Sequence, residues 1–518
     1  MILITSAAYV SPALVAEFGK LPPAMLPVQN RRLFEHQLDL VNKVDCGQVF
    51  LTLPKSYQPT QIDSEKLKEH NVSVVYIPET FSLGQSVVYA LNVMGRYDEA
   101  LYILHGDTLF SSLDKATDIY AVGQAEDDYS WATTGTGSDA QIYAGYFTFS
   151  SPSRLIRNIT ENGYGFMSGV KAYQAEVGMK AVVLPDWMDF GLINTYYRSI
   201  SKLTTQRVFN SLKVNRYSLT KYSKDSRKIL AEANWFAALP KEMRHYAPAL
   251  WDSGVTEDGR GFYEIEYYFQ SSLANLFVFG KNPTFVWKEI LNSCAEYISD
   301  EASIKPTNIE EITRQNAQLY GVKTRRRLED YASMSGIDLN KEWTIDGVKV
   351  PGLLAIADEM DAEIDKTTTE FATMMHGDFC FSNILYDFKS KTIRVVDPRG
   401  LDVEGHQSIY GDVRYDVAKF THSILGMYDY IIGGNFTYTE NEPYNVELRF
   451  PENDVITAVQ AYFRSMCFAG HTLKGLSTYP ITIHLFLSML PLHSDKPERQ
   501  KAMLANALRL YVEYKNLK

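Results

Sequence analysis

The chain has 518 residues, enough for about three domains. Its 45% hydrophobic, 13% aromatic and 22% charged side chains exclude a small single module, a fibrous repeat and a disordered chain. Its 62 acidic against 51 basic side chains leave a net charge of −11, a field that repels phosphate backbones and anionic membranes and excludes nucleic acid as the main partner.

The opening MILITSAAYV is apolar without a basic leader, and Pro12 and Glu17 end the apolar run soon after it, so it reads as a first buried strand. ILIT, QVFLTL, VSVVYI and ALYILHGD are β-rich runs, with RRLFEHQLDLVNKV and GQSVVYALNVMG as helices between them, to about Lys202. This alternation predicts a mostly parallel α/β sheet with helices on both faces, where ligands bind at the carboxyl ends of strands. His105, Gly106 and Asp107 lie at one such end. Beyond Thr204, VNRYSLTKYS alternates as a strand, DSRKILAEANWFAAL comes next as a helix with Asp225 as N-cap, and GFYEIEYYF is another strand. From about Val286 to Lys518 the pattern is helical except for MMHGDFCFSNILYDFKSKTIRVVDPRG. The stretch from Ile481 to Leu492 is too short to cross a bilayer and contains His484 and Pro491, so no membrane insertion is expected. Cys46, Cys294, Cys380 and Cys467 form no C-x-x-C pair, which indicates neither zinc nor a disulfide framework and fits a reducing, cytoplasmic compartment.

The stretch from His376 to Gly400 carries the most chemistry. Asp378 and Asn383 lie five positions apart across HGDFCFSN, and Asp397 ends IRVVD fourteen positions later. A ribbon of ILYD against IRVVD would fold Asp397 back beside Asn383. One carboxylate to accept a hydroxyl proton, with an amide and a second carboxylate to hold Mg²⁺ against nucleotide phosphates, is the inventory for phosphoryl transfer. Acids beside a triphosphate repel it, so the metal is implied by the charges.

These residues carry a resemblance. HGDFCFSNILYD with VVDPRG resembles the H-G-D-x-x-x-x-N and following D signature of the aminoglycoside phosphotransferase and choline kinase family, over about 205–518. That resemblance implies a two-lobed, protein-kinase-like α+β domain, with an N-lobe at 203–285 and a mainly helical C-lobe at 286–518. It further implies Asp378 as catalytic base, Asn383 and Asp397 as Mg²⁺ ligands, and Lys221 with Glu232 as the grip on the phosphates of ATP. YEIEYY, centred on Glu266 and Tyr267, is similar to the hinge that meets adenine. GDVRYDVAKF is similar to the G-D-x-x-Y-D-x-A segment, where Asp412 would tie helices together, and His376 would brace the loop. VFNSLKVNRY lacks the glycine-rich loop expected before Lys221.

A second resemblance covers 1–202. LPPAMLPVQNRRLFEHQLDLV, SLGQSVVYAL, LYILHGDTLF, IYAGYFTFS and WMDFGLINTYYRSIS resemble successive motifs of sugar-phosphate nucleotidyltransferases, which have a Rossmann-like sheet. Asp107 and Asp189 then correspond to the family's two metal-binding carboxylates, and Gly84, Gln85 and Gly145 to ligand contacts. SAAYVSPALVAEFG has neither the close glycines nor the arginine of that family's triphosphate loop, and Pro23 stands where a lysine is expected. Lys20, Arg31 and Arg32 are the nearby cations.

Each residue taken singly has a plainer explanation. H-G-D is a common turn, Lys221 and Glu232 could be solvated charges, Asp107 could satisfy amides at a strand end, and Asp189 could cap a helix. Gly84 and Gln85 could be ordinary helix-start chemistry, and Trp187 a packed aromatic. The combined expectation is an ATP-dependent kinase acting on the hydroxyl of a sugar or amino alcohol, fused to a nucleotidyltransferase-like domain and serving surface-glycan precursor synthesis. The alternatives are a kinase whose front domain binds a nucleotide sugar without catalysis, and a nucleotide-binding pseudoenzyme.

Overall fold

A computed structural model describes residues 1–44, 47–124, 132–134, 141–204 and 210–517. Cys46 and residues 208–209 of VFNSLKVNRY lie outside them. The chain divides into two compact units, Met1–Leu203 with Phe279–Lys281, and Thr204–Val278 with Asn282–Lys518.

In the first unit the apolar runs form β1 (Ile2–Thr5), β2 (Val49–Pro54), β3 (Val72–Ile77), β4 (Leu101–His105), β5 (Ile119–Gly123), β6 (Gln141–Phe149) and β7 (Lys180–Val183). Their order across the sheet is β7-β5-β6-β4-β1-β2-β3, and Thr133–Thr134 adds to β6. β1 is parallel to β2 and β4, β2 to β3, and β7 to β5, whereas β6 runs antiparallel to β4, β5 and Thr133–Thr134. The sheet is therefore mixed. Alternation marks a strand but not its direction, so the reversal of β6 is invisible in sequence. Helices α1 (Leu33–Val44) and α2 (Leu83–Met94) occupy the two amphipathic stretches. Val87, Ala90 and Leu91 of α2 join Leu3, Ile103, Phe147 and Phe149 of the sheet in one buried cluster.

The second unit begins with a four-stranded antiparallel sheet, β8 (Asn210–Val214), β9 (Ser218–Ser223), β10 (Leu250–Val255) and β11 (Gly261–Glu266), in the order β8-β9-β11-β10. VNRYSLTKYS is thus not one strand. Asn215 Oδ1 accepts the amides of Tyr217 and Ser218, both at 2.8 Å, and turns the chain into a hairpin. Helix α3 (Ser226–Ala237) starts at Asp225, whose side chain accepts from Lys228 N at 3.1 Å. Helix α4 (Thr284–Ser303) opens the helical part.

That part is interrupted more than its pattern predicts. Trp343–Ile345, Val348–Val350, Thr437–Glu442 and Asn445–Arg449 form a further four-stranded sheet. Its first hairpin turns at Asp346 and Gly347, with φ of 51° and 82°, the left-handed pair that a tight hairpin demands. The ribbon of β12 (Ile384–Asp387) and β13 (Thr392–Val395) is antiparallel with Ile384 opposite Val395. Helix α5 (Val413–Ile424) comes after it. Every residue of helix α6 (Thr478–Met489) is buried, the polar Thr478, Thr482, His484 and Ser488 included. Among the described residues no helix is long and apolar enough to cross a membrane.

Candidate active site

The loop His376–Asn383 is held from below by one carboxylate. Asp416, fully buried on α5, accepts amide hydrogens from His376 (2.7 Å), Gly377 (2.9 Å) and Phe379 (3.4 Å). Gly377 sits at φ +80°, and a Cβ there would lie 2.6 Å from Arg399 Cβ, so the turn requires glycine. His376 Nδ1 accepts the amide of Asp378 at 3.2 Å, which leaves Nε2 to donate to Val396 O at 3.1 Å. Burial lowers its pKa to about 4, so the ring is a neutral brace between loop and ribbon.

Asp378 and Asn383 meet directly. Asn383 Nδ2 donates to Asp378 Oδ2 and to its carbonyl, both at 3.0 Å, while Asn383 Oδ1 accepts from Ser382. Asp378 Oδ1 lies 2.9 Å from Lys419 Nζ. Burial alone would raise the Asp378 pKa, but the Lys419 ammonium outweighs it and holds the carboxyl below the usual range. The ribbon sets Val396 N on Asn383 O at 3.0 Å, which puts Asp397 one residue beyond Asn383's backbone partner. Asp397 adopts φ 55°, a left-handed conformation that Asp tolerates better than most residues.

A second chain of contacts starts on β9. Lys221 Nζ bridges Glu232 Oε2 at 2.7 Å and Asp397 Oδ1 at 3.0 Å. Tyr263 OH donates to the same two oxygens at 3.2 and 3.4 Å. Burial opposes the charge on Lys221, yet Asp397 and Glu232 raise its pKa above the ordinary lysine value. Asn383 and Asp397 offer hard oxygen donors. Two protein ligands suit Mg²⁺, which keeps waters and takes phosphate oxygens, so this donor set fits that metal. Among the described residues no group of three or more His, Cys, Asp or Glu forms a metal cluster.

Glu266 ends β11. Its amide donates to Ala249 O and that of Tyr267 to Tyr217 O, both at 2.9 Å, so neither N–H is open to a ligand. Asp412 caps α5 at Arg414 N (3.0 Å), pairs with the Arg414 guanidinium (2.7 Å) and accepts from Tyr320 OH (2.7 Å), tying elements together. Sequence reasoning missed Asp416 and Lys419. Both lie in GDVRYDVAKF, three positions apart and so on one helix face, and Asp416 is also the second aspartate of the G-D-x-x-Y-D-x-A resemblance, a signal that Lys419 lacks.

In the first unit, Asp107 follows β4, and the short strand Met188–Asp189 pairs with Thr108–Leu109, with Asp189 opposite Thr108. A Cβ on Gly191 would lie 2.8 Å from Asp107 Oδ2 and 3.4 Å from Asp189 Oδ1, so the two carboxylates converge. Burial and the Asp107 charge raise the Asp189 pKa to about 7, and its Oδ2 is buried without a partner among the described residues. Such an orphaned oxygen beside a second acid fits a divalent cation. Gly145, at φ +77°, presses on Thr108, where a Cβ would meet Oγ1 at 2.5 Å. Gly84 packs on Tyr164 O, which a Cβ would approach to 2.2 Å. Gln85 forms a capping box with Ser82, accepting from its amide at 2.8 Å.

The three nearby cations are already paired. Arg32 is buried on Asp63 at 3.2 Å, Arg31 meets Asp39 at 2.7 Å, and Lys20 lies 3.7 Å from Glu79.

No family model matches this sequence. No curated protein matches it either. Among solved structures, the chain is similar to a thermostable mutant of aminoglycoside phosphotransferase APH(4)-Ia, at 12% identity over 60% of this chain and 93% of that one, with a TM-score of 0.35. It is similar to a glucosamine kinase at 12% identity over 61% and 79%, with a TM-score of 0.35. It is also similar to a putative glucose-1-phosphate thymidylyltransferase from Bacillus anthracis in complex with a sucrose, at 14% identity over 40% and 96%, with a TM-score of 0.32. The structural neighbours thus include both kinase-like and nucleotidyltransferase-like proteins.

Proposed function

We propose that the chain is an ATP-dependent phosphotransferase acting on a hydroxyl of a sugar or amino alcohol, with kinase-like lobes at 203–285 and 286–518. The observation that carries this reading is the joining of Asp378 to Asn383 (3.0 Å) within the loop, and of Asp397 at the end of the ribbon through Lys221 of β9 to Glu232 of α3 (3.0 and 2.7 Å). Lys221, fixed by Glu232, would hold the α and β phosphates. Asn383 and Asp397 would hold Mg²⁺, which when bound neutralises phosphate oxygens. At Glu266 and Tyr267 the carbonyl oxygens, rather than the amides, would face adenine.

Asp378 accepts the proton of the acceptor hydroxyl as its oxygen bonds to the γ-phosphorus. The bond from that phosphorus to the β–γ bridging oxygen breaks, and its electron pair leaves with ADP. The test measures ADP release with ATP, Mg²⁺ and pools of sugars and amino alcohols. Asp378→Ala should cut acceptor-dependent turnover by roughly 10²–10⁴-fold while ATP still binds. ATP binding without turnover on any acceptor would instead identify a pseudoenzyme.

For residues 1–202 we propose ligand binding without nucleotidyl transfer. The pairing of Arg32, Arg31 and Lys20 with carboxylates favours this over an active transferase, because a triphosphate needs unneutralised cations and close amides. Pyrophosphate release from a nucleoside triphosphate and a sugar phosphate, abolished by Asp107→Ala, would overturn it. A cytoplasmic place in surface-glycan precursor synthesis belongs to the same proposal.

A further inference from the structure

Lys419 is a strongly placed group that the phosphotransferase reading leaves without a task. It projects from α5 to within 2.9 Å of Asp378 Oδ1, with its side chain only 14% exposed. Asp416 already fastens the loop backbone through three amides, so a lysine is not needed to hold the turn. It also costs the base some proton affinity, because the ammonium stabilises the ionised carboxylate.

Asp378 Oδ2 accepts from Asn383 Nδ2 and Oδ1 meets Lys419 Nζ, so an acceptor hydroxyl that uses the remaining lone pair of Oδ1 stands beside the Lys419 ammonium. An ammonium has three donors. Among the described residues Asp378 is its only hydrogen-bonding or ion-pairing partner, which leaves donors for a neighbouring oxygen. One turn further along α5, His422 is fully buried between the rings of Tyr428 and Phe486, at 4.1 and 4.7 Å. Neither of its ring nitrogens has a partner among the described residues, and nor does Oδ2 of the buried Asp429. Burial drives the His422 pKa well down, so its ring is a neutral donor and acceptor pair.

Resting on the phosphotransferase reading, we propose that Lys419 is a catalytic, acceptor-side cation. It meets the acceptor oxygen and the transferred phosphoryl group, and it restricts the acceptor to a polyhydroxylated sugar without an ammonium beside the reacting hydroxyl. The atoms move as in the transfer above. The hydroxyl proton goes to Asp378, the new bond joins acceptor oxygen to γ-phosphorus, and Lys419 keeps its own protons while its charge balances the oxygens of the passing phosphoryl group. A cationic group on the acceptor would stand close to the largely buried Lys419 ammonium, where like charges repel. A neutral hydroxyl there would find a donor instead.

The experiment compares pairs of acceptors that differ only by a hydroxyl or an ammonium next to the reacting position, a sugar and its amino-deoxy counterpart, under saturating ATP and Mg²⁺. The wild type should favour the neutral member in kcat/KM by at least about 10-fold. Lys419→Gln should lower kcat on that member by at least about 30-fold, with ATP affinity unchanged, and shrink the preference to under about 3-fold. Lys419→Arg should keep the preference. Should Lys419→Gln fail to fold, the wild-type pair comparison and Lys419→Arg still decide. A wild type that favours the ammonium-bearing member, or a Lys419→Gln protein with unchanged kcat and preference, overturns the proposal and leaves the kinase reading standing if turnover still needs Asp378. Absence of acceptor-dependent ADP in the wild type overturns both.

Discussion

Asp416 shows how a single buried side chain can set the behaviour of a loop it never joins covalently. Burial raises its pKa to about 7 even though amides of Gly377, His376 and Phe379 favour the ionised form, and the charge of Asp378 pushes in the same direction as burial. In the unfolded chain the same group titrates near the ordinary aspartate value of about 3.9. Between about pH 4 and pH 7 the folded protein therefore holds a proton that the unfolded chain has released. The contribution of Asp416 to stability therefore falls as pH rises through that window, the reverse of a salt-bridged carboxylate. Asp416→Asn removes this titration. Scanning calorimetry should find that the variant loses less Tm than the wild type between about pH 5 and pH 8, and equal losses would contradict the assignment. At this scale the spacing of Asp378 and Asn383 is legible, because a turn of five residues closes on itself. Asp416 and Lys419 are not, since one face of a helix reads the same whether it meets solvent or a catalytic loop.

The elements differ in how well pattern reveals them. The runs ILIT, QVFLTL, VSVVYI and ALYILHGD appear as strands because their apolar residues suit a buried sheet, and DSRKILAEANWFAAL as a helix because Asp225 caps it. The sheet containing Trp343–Ile345 and Asn445–Arg449 was hidden by short strands embedded among helices, although Asp346-Gly347 is a hairpin signal in plain sight. Leu250–Val255 was hidden likewise, being an edge strand with Asp252, Ser253 and Gly254 at its centre. The hairpin of β8 and β9 has a consequence for nucleotide binding. No glycine-rich loop lies there, and the turn is closed by the side chain of Asn215, which also donates to Ser218 Oγ at 2.8 Å. Asn215→Ala removes these bonds at a cost of about 1 kcal/mol. If this hairpin covers the phosphates, the variant should raise the KM for ATP several-fold and leave kcat within about 2-fold, since uniform binding alone is lost. An unchanged KM would place the hairpin away from the nucleotide.

Across the whole molecule, a net charge of −11 makes triphosphate binding a local achievement wherever it occurs. In the unit from Thr204 onward, Lys221 and Lys419 are largely buried cations beside the residues that would meet ATP and its acceptor. In the first unit, Arg32 is locked on Asp63 while Asp107 and Asp189 face each other, so the field there attracts cations and repels phosphate. Nucleotide should therefore stabilise the protein through the kinase-like site. Ligand at about 100 times its Kd adds about 2.7 kcal/mol to the unit that binds it. Thermal melting with ATP and Mg²⁺ should show an upward shift in the wild type, the same shift in Asp107→Ala, and little or none in Lys221→Met, each measured against its own nucleotide-free melt. A shift that survives Lys221→Met but vanishes in Asp107→Ala would move the nucleotide to the first unit and reverse the roles proposed for the two halves.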